Sequence, residues 1–577
     1  MKWTALAVIL ATAMSPAWAQ DPNAGDAPDH GVARLSFVQG NVSMRHGDMG
    51  ELSPVAVNVP LVTTDRVETG DQGFAEIQFD FLNMIRLGNS TEVRLSQLEY
   101  KHYQVQIAAG TTTFRVLRDN DAQVEISTPT VSIHPTHAGT YRISVRPDGI
   151  TEITVRAGQA EIWGPRGSEN LAQGQTMQAR GSADDPEFQI VSAIPLDDFD
   201  KFNIDRDRVM QQSTSARNLP PDVAGGESLD PYGQWQNDPN YGQVWVPNEP
   251  PGWAPYQNGN WVDEDYYGWT WVSADPWGWA PYHYGSWYMG PWGGWAWYPG
   301  VFAGPHYWRP ALVGFFGWGV PGFGVGIGFG FGHVGWVPLG PFEAFHPWYG
   351  AGAVAGARAG VGVNLGVANT FRNARVAGAI SSVSAANFGR GAVRASTMVR
   401  PTNADLARAS AIRGALPGIQ ATSASRRVAD GAVNTRGMPQ TNSNTRFATR
   451  PAGANTAARS GAGTAPAWRT MNGYNAGGTS ASTARGTPGA NGAQSNYRGG
   501  AQQGSYATSP QGRAPAQQQP LRMNPQIVQQ RSATPYQAPA PAQHSAPAPA
   551  RGGGMSAPSH GGGAPSHGGG GGHGGHR

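Results

Sequence analysis

Three adjacent acids, Asp263, Glu264 and Asp265, stand among Trp and Tyr residues. Paired carboxylates flanked by aromatic rings are the equipment of sugar-cleaving enzymes. Here the acids are consecutive and fall between two aromatic runs, where Asp and Glu are ordinary turn residues. They are therefore expected to form a solvated acidic turn. His134 and His137 flank Pro135, and no partnered acid is readable for either. Four more histidines, His560, His567, His573 and His576, close the chain in SHGGGAPSHGGGGGHGGHR. Imidazole suits Zn, Cu and Ni, but Gly-rich spacers lose much entropy on ordering, and no acid or Cys completes a set. That stretch reads as a spacer, and no metal site or cofactor is assigned. The sequence contains no nucleophile elbow, HExxH helix or phosphate loop. No catalytic residue is assigned, and the chain is expected not to be an enzyme.

The remaining chemistry is aromatic. Residues 231–349 hold 16 of the 20 Trp. Trp and Tyr faces stack on sugar rings and anchor protein interfaces, and they also build cores. Aligning the block on itself with a 26-residue offset separates the two roles. Trp235, Trp261 and Trp287 form one column, and Trp245, Trp271 and Trp297 a second one ten residues on. Gly233, Gly259 and Gly285 match, and Gly-Trp-Ala-Pro-Tyr occurs at 252–256 and 278–282. A fixed period marks a repeated unit that buries one face against its neighbours, so the columns are candidate core. Rings outside the columns, Tyr266, Tyr267, Trp277, Tyr284 and Trp292, are the candidate binding residues. The implied partner is an envelope protein or a cell-wall or surface polysaccharide.

The elements that position these rings are strands. Pro and Gly interrupt every run of the block, which excludes long helices, and each 26-residue unit reads as a β-hairpin. Phe323–Gly332, FGVGIGFGFG, would form a strand with one ring-bearing face and one bare face. Upstream, from 32 to 191, short alternating runs recur between turn residues such as Pro147-Asp148-Gly149. Such spacing predicts a β-sandwich or roll. Residues 192–230 read as a linker, with a short helix over Leu196–Met210 carrying Phe199, Phe202 and Val209 on one side.

The 32–191 segment resembles the FecR-type periplasmic domain. The carrying residues are Gly40 and Val42, Asp65-Arg66-Val67-Glu68-Thr69, Phe74-Ala75-Glu76 and Ile85-Arg86-Leu87, then Thr128-Pro129-Thr130, Gly139-Thr140-Tyr141, Val155, Gly158, Ala160, Leu171 and Gly174-Gln175. The resemblance implies an extracytoplasmic β-domain; well-known members pass a periplasmic signal to a cytoplasmic anti-sigma segment. This chain departs from that plan, because only Met1-Lys2 precede the apolar run and no such segment is expected. The aromatic block resembles an uncharacterised Trp/Tyr/Pro-rich domain that follows FecR-like domains in bacterial envelope proteins. That likeness rests on Gly-x-Trp, Trp245–Pro247, the Gly-Trp-Ala-Pro-Tyr pairs and Gly335–Pro341, and it implies no activity.

Residues 1–19 have a secretory signal pattern: Lys2, an apolar run from Ala5 to Ala13, and Ala17-Trp18-Ala19 before Gln20. Export to the periplasm, envelope or exterior is expected. The absence of Cys removes disulfides and thiolate chemistry. From 350 to the end there are 22 Arg, no Lys and two acids, a balance of +20, whereas the preceding residues hold 19 bases and 37 acids. This Ala/Gly/Ser/Pro/Arg-rich part, 350–577, is expected to be a disordered tail. Its dispersed Arg suit peripheral contact with anionic envelope polymers, not nucleic acid. The expected fold is thus mainly β: a FecR-like sandwich or roll, a small aromatic hairpin-repeat domain, and a long tail. The expected function is an exported binding or scaffolding module. The alternatives are a periplasmic signalling adaptor lacking the anti-sigma segment, or a polysaccharide-active enzyme using the acidic turn.

Overall fold

A computed structural model describes residues 30–47, 50–302, 304–319, 331–350, 353, 366–429, 431–442, 444–451 and 465–471. The signal pattern, most of FGVGIGFGFG and the terminal histidines lie outside the described residues.

The first domain is a β-roll built around one long strand, His102–Val116. Its first half pairs with Glu92–Glu99 and, in parallel, with Gln123–Ser127. Its second half pairs with Asn83–Leu87 and Gly139–Val145. One strand therefore serves two sheets, and the inward residues Val105, Ile107, Phe114 and Val116 fill the space between them.

The helix Asp198–Gln212 closes one face of the roll. Asp197 and Asp200 form a capping box at its start. Phe199 stacks on Phe74 and Phe202 packs against it at a tilt, while Val209 is exposed, so the apolar side is narrower than the sequence suggests. Charge does the rest of the docking. Arg142 reaches Asp197 and Asp200, Arg156 reaches Asp200, and Arg86 and Arg115 both reach Asp207.

The aromatic domain consists of hairpins, as the 26-residue spacing predicts. Gly233–Asp238 pairs with Gly242–Pro247, Gly259–Glu264 with Gly268–Ser273, and Ser286–Met289 with Trp295–Tyr298. The registers set Trp235 opposite Trp245, Trp261 opposite Trp271 and Trp287 opposite Trp297. The two columns are thus cross-strand partners, which is the unit of sheet stabilisation. Five of the six column rings are fully buried, and Trp235 is half-buried. The Gly column has the same origin. A Cβ on Gly233 would lie 2.4 Å from the Trp245 ring, and one on Gly259 would lie 2.7 Å from the Trp271 ring. Only a bare backbone lets each indole lie across the neighbouring strand. A fourth hairpin, Val313–Trp318 with His333–Pro338, adds Phe315 and Trp336 to this core.

The hairpin 259–273 is the wall between the domains. Strand alternation places Trp261 and Trp271 on one side and Val262 and Val272 on the other. The Trp pair joins the aromatic core, and the Val pair joins the core of the roll. Arg34 of the roll reinforces the seam. It is fully buried, 2.9 Å from Glu227, and also bonded to Asn58 and Gln78.

The folded part extends past the boundary at 349. Ser381–Ser384 and Ser410–Ile412 flank the fourth hairpin, and Ala392–Val393 pairs with Gly259–Glu264. Ala465–Thr470 pairs with Asp185–Ser192 of the roll. Within the expected tail, then, the described residues include the short strands Ser381–Ser384, Ala392–Val393, Ser410–Ile412 and Ala465–Thr470. Small residues make the docking sterically open: Phe371 covers Gly314, where a Cβ would sit 2.1 Å from the ring. Phe388, Ile412 and Leu416 are buried in the same core.

One buried histidine is expected to make the aromatic domain sensitive to acid. His283 stacks on Trp308 with centroids 4.7 Å apart, and its Nδ1 lies 2.7 Å from the Arg309 carbonyl. Burial depresses its pKa to about 3, outweighing that hydrogen bond. The unfolded chain therefore takes up a proton near pH 6.5 that the folded one refuses, so stability falls with pH below 6.5. At pH 5 the expected loss is about 2 kcal/mol relative to pH 7.5. Urea unfolding of the wild type and His283→Asn at both pH values measures it. Equal pH dependence in the two proteins would refute the assignment.

Candidate functional site

The five candidate binding rings do not share one environment. Tyr266 and Trp292 are exposed, at 44% and 38%. Tyr267 and Trp277 are 1% exposed, so the expectation that rings outside the columns face solvent is corrected for both. Trp277 fills the space between Trp245, Trp253 and Trp287, with centroids 5.0–6.2 Å away. Tyr267 is capped by Trp308 and Tyr349, and its hydroxyl donates to the His30 carbonyl. Tyr284 is partly buried beside the core, and its carbonyl accepts the Trp297 indole N–H at 2.8 Å. The structure does not bring the five together as one surface. The three hairpins have different neighbours, so rings outside the repeat are needed to fill the gaps between them.

A surface of rings does exist on the outer side of the four-stranded sheet made by the first and third hairpins. Strand alternation turns Trp245 and Trp297 inward and Val244, Ala296 and Tyr298 outward. Tyr241 and Tyr288 meet edge-on at 4.6 Å above them, and Phe342 lies 6.2 Å from Tyr241. The Tyr288 hydroxyl donates to Asp238 Oδ2 at 2.7 Å, and Asp238 Oδ1 accepts the Asn240 and Tyr241 N–H groups. Burial and the adjacent Asp238 push the Tyr288 phenol far up, so it stays a donor.

Phe342 is the most exposed large apolar side chain described, at 68%, and its φ is +64°. A bulky residue in the left-handed region costs roughly 1–3 kcal/mol and persists only where neighbours impose it. Glu343 imposes it: one carboxylate oxygen accepts Gly340 N–H and the other Arg372 N–H, both at 2.6 Å, while Arg372 also holds the Pro341 carbonyl. The ring is held outward on a clamped loop.

Of the three acids Asp265 is exposed and Asp263 intermediate, but Glu264 is not solvated. Glu264 follows Val262 by two residues, so it points the same way, into the roll. It is 2% exposed. There it meets His46 and Asp65: His46 Nδ1 lies 3.3 Å from Asp65 Oδ1 and 3.9 Å from Glu264 Oε2. Asp65 also accepts the Val62 and Gly47 N–H groups. Neither Glu264 oxygen has a hydrogen-bond partner, and neither does His46 Nε2. Burial raises the Glu264 carboxyl against the attraction of His46. The His46 imidazole is raised too: burial opposes its charge, but Asp65 and Glu264 outweigh that. Asp263 and Asp265 instead face Arg426, at 3.8 and 3.3 Å. Sequence spacing hid this cluster, since two of its members belong to the roll. The signal that could have exposed it is the parity of Val262 and Glu264 on one strand.

Nearby, a crevice of about 50 Å³ opens between the domains, lined among others by Tyr100, Tyr103, Asp222, Tyr267, His306 and Tyr307. That is room for a few waters. Asp222 bridges its rim, accepting from Tyr100 at 3.0 Å and from the His306 backbone N–H at 2.8 Å.

Residues 65–161 match the family described as FecR protein, and residues 226–343 match a family of unknown function, DUF6600. No curated relative matches the chain. Similar solved structures include two crystal structures, at 2.50 and 1.65 Å, of a candidate anti-sigma factor from Parabacteroides distasonis ATCC 8503. Each is 14% identical with a TM-score of 0.19, and the match covers 22% of this chain and 59% of that one.

Proposed function

We propose that this chain is an exported, non-enzymatic binding module of the cell envelope. Its ligand is a cell-wall or surface polysaccharide, taken on the outer tyrosine face of the aromatic domain. The observation that carries the reading is the Tyr241–Tyr288–Phe342 cluster beside Asp238, with Phe342 held outward at positive φ. Ring faces stack on the C–H faces of sugars, and a phenol–carboxylate pair supplies the directional hydrogen bonds that orient them. The signal pattern and the match to FecR, an envelope-associated family, support the compartment. No helix among the described residues is long and apolar enough to cross a membrane.

The test is a polysaccharide array probed with the full chain, Phe342→Ala and Tyr241→Ala. Binding to at least one envelope glycan is expected, weakened about tenfold or more by either change, with the melting temperature of Phe342→Ala not lowered. Capture of a protein but no glycan would redirect the face to a protein partner. Unaltered glycan binding in both variants would remove the face from the function.

The FecR match over 65–161 also favours a second reading, an adaptor that reports to a separate membrane partner. That reading expects a changed transcriptome on deletion of the gene.

A further inference from the structure

We propose that His46, Asp65 and Glu264 form a divalent transition-metal site, with Zn²⁺ its best match, that staples the FecR-type roll to the aromatic domain. The donor atoms, a His46 ring nitrogen and one oxygen from each carboxylate, all lie within 4.8 Å of one another. Two ligands on a tetrahedral Zn²⁺, each about 2.0–2.2 Å from the ion, sit roughly 3.4 Å apart. The 3.3 and 3.9 Å separations from His46 already approach that spacing.

The second observation is the state of Glu264. Its side chain is almost wholly buried, and both oxygens are without hydrogen-bond partners. A buried carboxylate in that condition is costly unless something cationic completes it. The neighbouring guanidinium does not, because Arg426 goes to Asp263 and Asp265. A lone imidazole faces two carboxylates, and a dication would neutralise the pair outright.

The donor chemistry selects the ion. One imidazole with two carboxylates suits Zn²⁺ or Mn²⁺, whereas Ca²⁺ and Mg²⁺ take oxygen donors. The surroundings also behave as a supporting shell. The Val62 and Gly47 N–H groups fix Asp65, and strand alternation fixes Glu264. His46, with its side chain 15% exposed, is the side from which an ion enters. Two ligands come from the roll and one from the aromatic hairpin, so binding ties the domains together. The inference is independent of the polysaccharide reading.

The experiment titrates ZnCl₂, and MnCl₂ in parallel, into chelator-stripped full-length protein by calorimetry. It compares wild type with Glu264→Gln, which keeps the size of the side chain. The terminal histidines are present in both proteins, so the site is read as a difference. One more Zn²⁺ per chain is expected in the wild type. So is a Zn²⁺-dependent rise in melting temperature of about 3 °C or more that the variant lacks. Equal stoichiometry in the two folded proteins overturns the proposal. Should Glu264→Gln not fold, X-ray absorption of the wild type carrying one Zn²⁺ equivalent decides alone. A first shell of one imidazole and oxygens supports the site, and a shell of several imidazoles overturns it.

Discussion

Glu76→Ala is expected to lower the unfolding free energy by about 3–5 kcal/mol, the range for removing one partner of a buried ion pair. Glu76 is fully buried, with one oxygen 2.6 Å from Arg86 Nε and the other 2.6 Å from Arg206 Nη2. Ser36 donates to the same carboxylate at 2.7 Å. Burial alone would raise this acid, but the two guanidinium groups outweigh it and hold it well below the usual carboxylate range. Its stabilising charge is therefore present above about pH 4.5 and lost only in strong acid. Without Glu76, Arg86 would depend on Asp207, which it shares with Arg115, and Arg206 would lose its carboxylate partner. The helix Asp198–Gln212 carries Arg206, so it loses one of its anchors to the roll at the same time. Urea unfolding at pH 7 is the measurement. The triple variant Glu76→Met, Arg86→Met, Arg206→Met should recover most of the loss, because apolar side chains of similar volume remove both guanidinium groups that Glu76 paired. A loss below about 1 kcal/mol in Glu76→Ala would show that water reaches the cluster and the pairing argument fails.

How much of this was legible in the sequence depends on the range of the interaction. The Trp columns are local: ten residues separate opposite positions of a hairpin with a short turn, so Trp261 and Trp271 announce their pairing by spacing alone. The Gly column is equally local, since Gly259 lies beside the ring of its own hairpin. Trp277 has no repeat partner and looked free, yet its ring closes the gap between hairpins, a contact that no period encodes. The burial of Glu264 was hidden for a related reason. Three consecutive acids suggest solvent, but alternation sends Glu264 to one side of the strand and its neighbours Asp263 and Asp265 towards Arg426. Which side is buried depends on the roll, whose His46 and Asp65 come from a distant part of the chain. Past residue 349 the composition hid the short strands Ser381–Ser384, Ala392–Val393 and Ser410–Ile412. Gly and Ser lower mean hydropathy, but with Ala they also let backbone lie close against rings. A few anchors such as Phe371 and Phe388 then suffice to dock the segment.

The repeat makes a second large effect predictable, together with its asymmetry. Trp261→Ala is expected to cost about 3–5 kcal/mol, as for other buried aromatic truncations, and Trp235→Ala about 1–2 kcal/mol. The two residues occupy the same column, and the sequence offers no reason to separate them. Their surroundings do. Trp261 is 1% exposed and touches four rings, Trp271, Phe315, Trp336 and Phe388, at 5.0–5.6 Å. Its removal opens a cavity between rings that belong to three separate segments, and rigid indoles cannot collapse into it. Its indole N–H has no partner, so the truncation forfeits no hydrogen bond and the loss is one of packing. Trp235 is half-buried at the start of the first hairpin, where it meets Trp297 at 6.2 Å and donates to Ser215 at 2.8 Å. Water can fill the space it leaves. Thermal and urea unfolding of both variants, with Trp261→Phe as an intermediate truncation, tests the ordering. Equal losses at 235 and 261 would mean that the hairpins are energetically equivalent, as in a solenoid. The predicted inequality instead follows from the second hairpin serving as the shared wall, with Val262 in one core and Trp261 in the other.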